Sequence, residues 1–305
     1  LHRVDRRQRQ MCIRDRENSA MENPNKFIKA AVKSKYNIDF DTCPKEDLLR
    51  VEEILVKGVT RDDKFNNWDF SAFPNLKKVD CSSNPISMLN VSQNLHLEDI
   101  TWGPVIGDFV HKLAFPLNPN LRRVSGGQDG LIELDLSSNP NIEEVEIWLN
   151  TYMRWIDLDS CTKLKKIRLK GVNIPFVDLT HCTQLEYVEI DYLNLYSRQC
   201  GEFGPGYPRP IVFVNSDFNE KIIPIDTRCH KSYTYFLVVV HPGSEEESYL
   251  QNLKNRKEEF LSIPYNRYGS YVAYKHYDLL EELERLPKPK VYAKEVEDDD
   301  LSFFR

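Results

Sequence analysis

Six segments of the chain share one spacing of apolar residues. They are LKKVDC (Leu76–Cys81), LEDITW (Leu97–Trp102), LRRVSG (Leu121–Gly126), IEEVEI (Ile142–Ile147), LKKIRL (Leu164–Leu169) and LEYVEI (Leu185–Ile190). Each puts apolar residues at positions 1, 4 and 6, with glycine replacing the last one once. Their starts are 21, 24, 21, 22 and 21 residues apart, and extra residues near Gly103–Phe109 account for the 24. A second half-motif begins 11 residues before most of them: Ile86–Asn94, Leu131–Asn139, Met153–Cys161 and Ile174–Cys182, with Val110–Asn118 and Phe65–Phe73 fitting more loosely. A fixed period of this length predicts a solenoid. Each turn lays down a short strand whose positions 1, 4 and 6 enter a core shared with the next turn, because one turn cannot bury its own apolar face. Asn94 and Asn139 sit where a side-chain amide can bond the backbone of neighbouring turns. Cys161 and Cys182 occupy the same slot as small buried hydrophobes.

NLKKVDCSSNPISMLNVSQN and GLIELDLSSNPNIEEVEI resemble the 21-residue leucine-rich repeats of Bacteroidetes-type bacterial proteins, internalin-like in build. Asn25–Val32, Asp47–Gly58 and Asp69–Leu76 resemble that family's N-terminal cap, a short helix leading into a degenerate first turn. The resemblance covers roughly residues 23–195; Phe73, Cys161 and Cys182 in the asparagine slot and a disrupted second turn depart from it. It implies an α/β solenoid of about seven turns, a right-handed coil with a parallel concave sheet. Residues 21–60 would form the helical cap with the first degenerate turn, and 61–199 the repeats. Residues 200–305 would hold a last turn and either an α/β C-terminal cap or a small α/β domain, with an acidic tail.

Strand positions 2, 3 and 5 face solvent. Read in order they are Lys77/Lys78/Asp80, Glu98/Asp99/Thr101, Arg122/Arg123/Ser125, Glu143/Glu144/Glu146, Lys165/Lys166/Arg168 and Glu186/Tyr187/Glu189. The sign alternates from strand to strand. Two readings stand: cross-strand ladders that compensate facing charges, or a recognition code for a partner. A face so nearly self-neutral disfavours polyanions, so affinity would come from the aromatic anchors Trp102, Trp148, Tyr187 and Tyr192, set among Arg123, Glu144, Glu146, Lys166, Arg168 and Glu189. The competing role for each aromatic is packing against the next turn.

After Leu195 the period stops. Cys200–Pro210 is rich in Gly and Pro and reads as a boundary. Ile211–Val214 reads as a last turn. Tyr233–Val240 predicts a strand, Glu245–Leu261 a helix, Tyr271–Tyr274 a mixed segment and Tyr277–Leu286 a helix, an order that suits a cap over the open end. Tyr265, Tyr268, Tyr271, Tyr274 and Tyr277 recur every third residue. A stacking platform for nucleic acid would need a basic groove, and Asp278, Glu281, Glu282 and Glu284 follow instead.

Composition narrows the function. The 305 residues carry 41 Lys+Arg against 47 Asp+Glu, a formal net charge of −6. Residues 1–16 resemble a translated sequencing-library adapter; without them the balance is 35 to 45, which argues further against a nucleic-acid footprint. No apolar run approaches the ~20 residues of a membrane-spanning helix, and no signal peptide follows Met21. Cysteines scattered through the repeats fit a reducing, cytoplasmic setting. Cys200, Cys229, His230 and His241 lack the paired CxxC or HxxxH spacing that makes a metal site specific, so neither metal nor cofactor is expected. These observations point to a monomeric, non-catalytic scaffold that binds a protein on the concave face. The rival is a Cys/His-based effector module in residues 200–305, targeted by the repeats.

Overall fold

A computed structural model describes residues 24–56, 58, 67–84, 86, 88–103, 112–127, 131–148, 150, 152–172, 174–192, 211–219, 235–262 and 290–292. The chain enters through α1 (Lys26–Tyr36) and the one-turn α2 (Lys45–Leu48), then alternates between two sets of strands. The first set is a seven-stranded parallel sheet of β1 (Glu53–Leu55), β3 (Lys78–Cys81), β5 (Asp99–Trp102), β7 (Arg123–Gly127), β9 (Glu144–Trp148), β11 (Lys166–Val172) and β13 (Tyr187–Tyr192), in that order. The half-motifs supply the opposite wall. There β2 (Asn67–Asp69) pairs with β4 (Met88–Asn90), and β6 (Lys112–Ala114), β8 (Glu133–Asp135) and β10 (Trp155–Asp157) form a second group. A third group joins β12 (Phe176–Asp178) to β14 (Ile211–Asn215), β15 (Tyr235–Val240) and β16 (Lys290–Tyr292). Two helices, α3 (Glu245–Asn255) and α4 (Lys257–Leu261), lie between β15 and β16 in the chain. The molecule is a parallel β-solenoid with leucine-rich-repeat-like turns.

The repeat phase becomes register. Val79, Ile100, Val124, Val145, Ile167 and Val188 pair in one continuous row across the sheet. All are essentially fully buried, as are Leu121, Ile142 and Leu164 at position 1, while Leu185 is half-buried against the same core. VEEILV at Val51–Val56 is a further turn of the same kind, with Val51, Ile54 and Val56 buried.

Helix α1 guards the first edge. Asn25 caps it by accepting from Phe27 N and Ile28 N, and Asn37 ends it in the left-handed conformation (φ 57). Ile28 and Val32, four residues apart, are its buried stripe. The Tyr36 hydroxyl accepts from Glu53 N (2.9 Å) and donates to Glu53 O (3.1 Å), which satisfies backbone groups on an edge strand.

Along the opposite wall the turns are closed by their own side chains, except after β6, where Ala114 holds the position. Asp69, Asn90, Asp135, Asp157 and Asp178 each accept, through Oδ1, the N–H two residues on, an Asx turn that ends the short strand. The next slot links turns. Asn94 Nδ2 donates to Phe70 O and Phe73 O, Asn118 Nδ2 to Val91 O and Asn94 O, and Asn139 Nδ2 to Phe115 O and Asn118 O, all at 2.7–3.0 Å. Cys161 continues the column with long contacts of 3.7 and 3.9 Å to Leu136 O and Asn139 O. A thiol fills the slot but bonds it weakly.

Two glycines in β7 explain the one break in the apolar code. A Cβ on Gly126 would lie 2.0 Å from Trp102 Cε2, and one on Gly127 would lie 2.5 Å from Trp148 Cδ1 and 2.1 Å from Trp148 O. The two indoles come from the flanking strands β5 and β9 and press on opposite faces of β7. Glycine stands there because an indole already fills the space.

The described C-terminal elements build on the half-motif wall. β14 and β15 extend the half-motif wall, and the helix expected over Glu245–Leu261 divides at Arg256. α3 and α4 pack on the outward side of that wall, where Phe260 meets Trp155 and Phe176, and Tyr249 meets Phe213. The reason is apolar residues at outward positions: Trp155 and Phe176 stand where the preceding strand has Glu133, and they require cover. Residues 1–16, the insertion beyond Gly103, Cys200–Pro210, Cys229, His230, the tyrosine series 265–277, the segment 277–286 and the acidic tail lie outside the described residues.

Candidate functional site: the open face of the seven-stranded sheet

The face away from the core carries rows of side chains about one strand spacing, ~4.8 Å, apart. One row runs Glu52, Lys77, Glu98, Arg122, Glu143, Lys165, Glu186, with strictly alternating sign. Lys77 bonds Glu52 at 3.0 Å, and Glu143 is shared between Arg122 (2.6 Å) and Lys165 (3.1 Å). Hydrogen bonds from Arg122 and then Lys165 hold the Glu143 carboxyl below the ordinary carboxylate range. The next row is Glu53, Lys78, Asp99, Arg123, Glu144, Lys166, Tyr187, paired in register. Here Lys78 faces Glu53 at 3.7 Å and Arg123 grips Asp99 at 2.6 Å. Lys35 of α1 also reaches Glu53, chiefly through a hydrogen bond that lowers that carboxyl. The ladder reading therefore describes most of the face.

The pattern changes toward β13. Arg168 lies between Glu146 (3.6 Å) and Glu189 (3.2 Å), with its guanidinium 4.8 Å over the Tyr187 ring. The Tyr187 hydroxyl donates to Glu189 (3.0 Å), and Lys170 reaches the same carboxylate at 2.6 Å. Half-buried Trp148 rests on Gly127 two strands away from Tyr187, with Lys170 in register between its strand and β13. Among the described residues, Glu144 and Lys166 make no ion pair although they face each other in register, and neither do Glu98 or Glu186.

Each expected site residue has a definite place, except one. Arg123, Glu144, Glu146, Trp148, Lys166, Arg168, Tyr187 and Glu189 share the open face, and five of them — Glu146, Trp148, Arg168, Tyr187 and Glu189 — gather at the β9–β13 end. Trp102 does not belong with them. It is fully buried, because position 6 of its strand points into the core, and its ring packs near Phe115 and beneath Gly126. Tyr192 lies in β13, opposite Val172, beyond a register shift, and its side chain lies outside what is described. Lys170 was missing from the expected set. The signal for it was available: the strand alternation continues to position 7, the position that already exposes Trp148.

No family model matches the chain, and no curated protein matches it. Among solved structures it is similar to the functional domain of InlJ from Listeria monocytogenes, which is described as including a cysteine ladder. The identity is 20% over 55% of this chain and 40% of that one, with a TM-score of 0.43. The chain thus spans less than half the length of that structure.

Proposed function

We propose that the chain is a non-catalytic scaffold that binds a protein partner across the open face of the seven-stranded sheet, anchored at its β9–β13 end. The observation that carries this reading is the change along the face. Most charges along the whole face satisfy one another and leave little for a partner to gain, so what distinguishes the β9–β13 end is its aromatic side chains. At β9–β13 an arginine lies over a phenol, and an indole stands on the same face two strands away, the residue types that dominate binding energy when a partner desolvates them. The near-neutral face offers no cradle for phosphates. Among the described residues, burial raises the Cys81 and Cys182 thiols strongly and pushes Cys161 up to about 12, so these three sulfurs stay protonated and unreactive. His241 is exposed on a turn.

Capture experiments with the full chain test the reading. Trp148→Ala and Tyr187→Ala are each expected to weaken a partner captured by the wild type by about ten-fold or more. Lys77→Ala, inside the self-paired part, is expected to leave capture within about two-fold. Equal losses across all three variants would overturn the assignment.

A further inference from the structure

We propose that α3–α4 is an ionically latched strap that opens from the side of the solenoid while the repeat stack stays folded. Its apolar contacts are separate from the main core. Trp155, Phe176, Phe213, Leu250, Leu253 and Phe260 form their own cluster on the outward side of the half-motif wall, and the repeat core fills the inward side. The same strands are therefore shared by two cores that do not touch, and loss of the outer one leaves the inner contacts in place.

The electrostatics are also one-sided. Glu133, Asp135, Asp157, Asp159 and Asp178 crowd this flank on three successive turns, and their sign does not alternate as it does on the open face. Burial holds the Asp157 carboxyl above its ordinary range against the Asp159 N–H it accepts, and the charges of Asp159 and Asp135 add to the rise. The strap supplies two cations to this flank. Lys254 Nζ sits between Asp159 (2.6 Å) and Asp178 (3.0 Å), and Lys257 Nζ bonds Glu133 (2.7 Å) while lying 5.3 Å over the Trp155 ring. Two side chains thus fasten the strap to the turns of β8, β10 and β12.

Two features favour release. The Trp155 indole N–H is buried and meets no acceptor among the described residues, a bond that water supplies once the strap lifts. The strap leaves β15 through exposed His241-Pro242-Gly243, where Gly243 has φ 76 and open space around it, and it is broken into two short helices at Arg256. Opening bares Trp155, Phe176 and Phe213 as an aromatic trough rimmed by acids.

Hydrogen exchange read by mass spectrometry on the full chain tests this. In wild type, amides of 245–261 are expected to exchange about ten-fold faster in 1 M than in 0.05 M NaCl, while those of β5–β11 stay unchanged. The Lys254→Gln/Lys257→Gln variant should show the fast exchange already at low salt and lose the salt response. The Lys254→Arg/Lys257→Arg variant should keep the wild-type pattern. If the strap and β5–β11 quicken together, or the strap's exchange ignores salt in wild type, the latch is refuted. The wild-type series decides the matter even if the glutamine variant fails to fold.

Discussion

The repeat stack and the C-terminal flank are held by bonds of different reach. In the stack nearly every linking contact joins residues one period apart: Asn139 to Asn118, Arg122 to Glu143, Val124 to Val145. In the flank Lys254 reaches back 95 residues to Asp159 and 76 to Asp178. The stack repeats one solution, so a residue's partner is its own counterpart in the next turn. The flank is used once, and its partners follow from no period. Stability should divide along the same line.

The largest expected effect lies in the stack. Gly126→Ala places a methyl group inside the Trp102 ring and should cost about 3 kcal/mol or more, read as a fall in the midpoint of denaturant unfolding. A loss below about 1 kcal/mol would mean that β7 and the indole separate easily. Next comes Asn118→Ala, which removes two donors from buried carbonyls and should cost about 2–3 kcal/mol. Asn118→Cys should recover part of that loss, as the Cys161 slot does with longer contacts. Acid should produce a smaller change. The Glu143 and Glu53 carboxyls lie below their ordinary range when folded, so their contribution is fully present above the usual carboxylate pKa near 4.3 and disappears as pH falls through the folded values. Unfolding midpoints measured from pH 6 down to pH 3 should fall less in Glu143→Gln than in wild type.

The sequence disclosed the stack because apolar positions 1, 4 and 6 carry a physical demand that recurs, and the asparagine slot recurs with it. At Trp102 residue type and position pull apart: an indole suggests an interface, but position 6 of LEDITW points inward, and packing wins. The glycine that replaces an apolar residue at 126 was the complementary sign, since small beside large is how a packed layer keeps its volume. Lys170 was missed by ending the strand at position 6. The flank was harder to read. Trp155 and Phe176 are apolar at outward positions where Glu133 is acidic, which signals a cover, but nothing local names α3–α4 as the segment that supplies it.

Alternating charges on the open face pair across strands in short ladders such as Arg122–Glu143–Lys165 and so belong to the fold, leaving the aromatic side chains of the β9–β13 end for a partner. Thermal unfolding of Arg122→Glu/Glu143→Arg beside Arg122→Gln/Glu143→Gln tests this pairing. An isolated pair would tolerate the swap. In a ladder the swap sets Glu98 against a new acid and Lys165 against a new base, so the swapped variant should melt below the glutamine pair. A swapped variant that melts with the wild type would contradict the ladder.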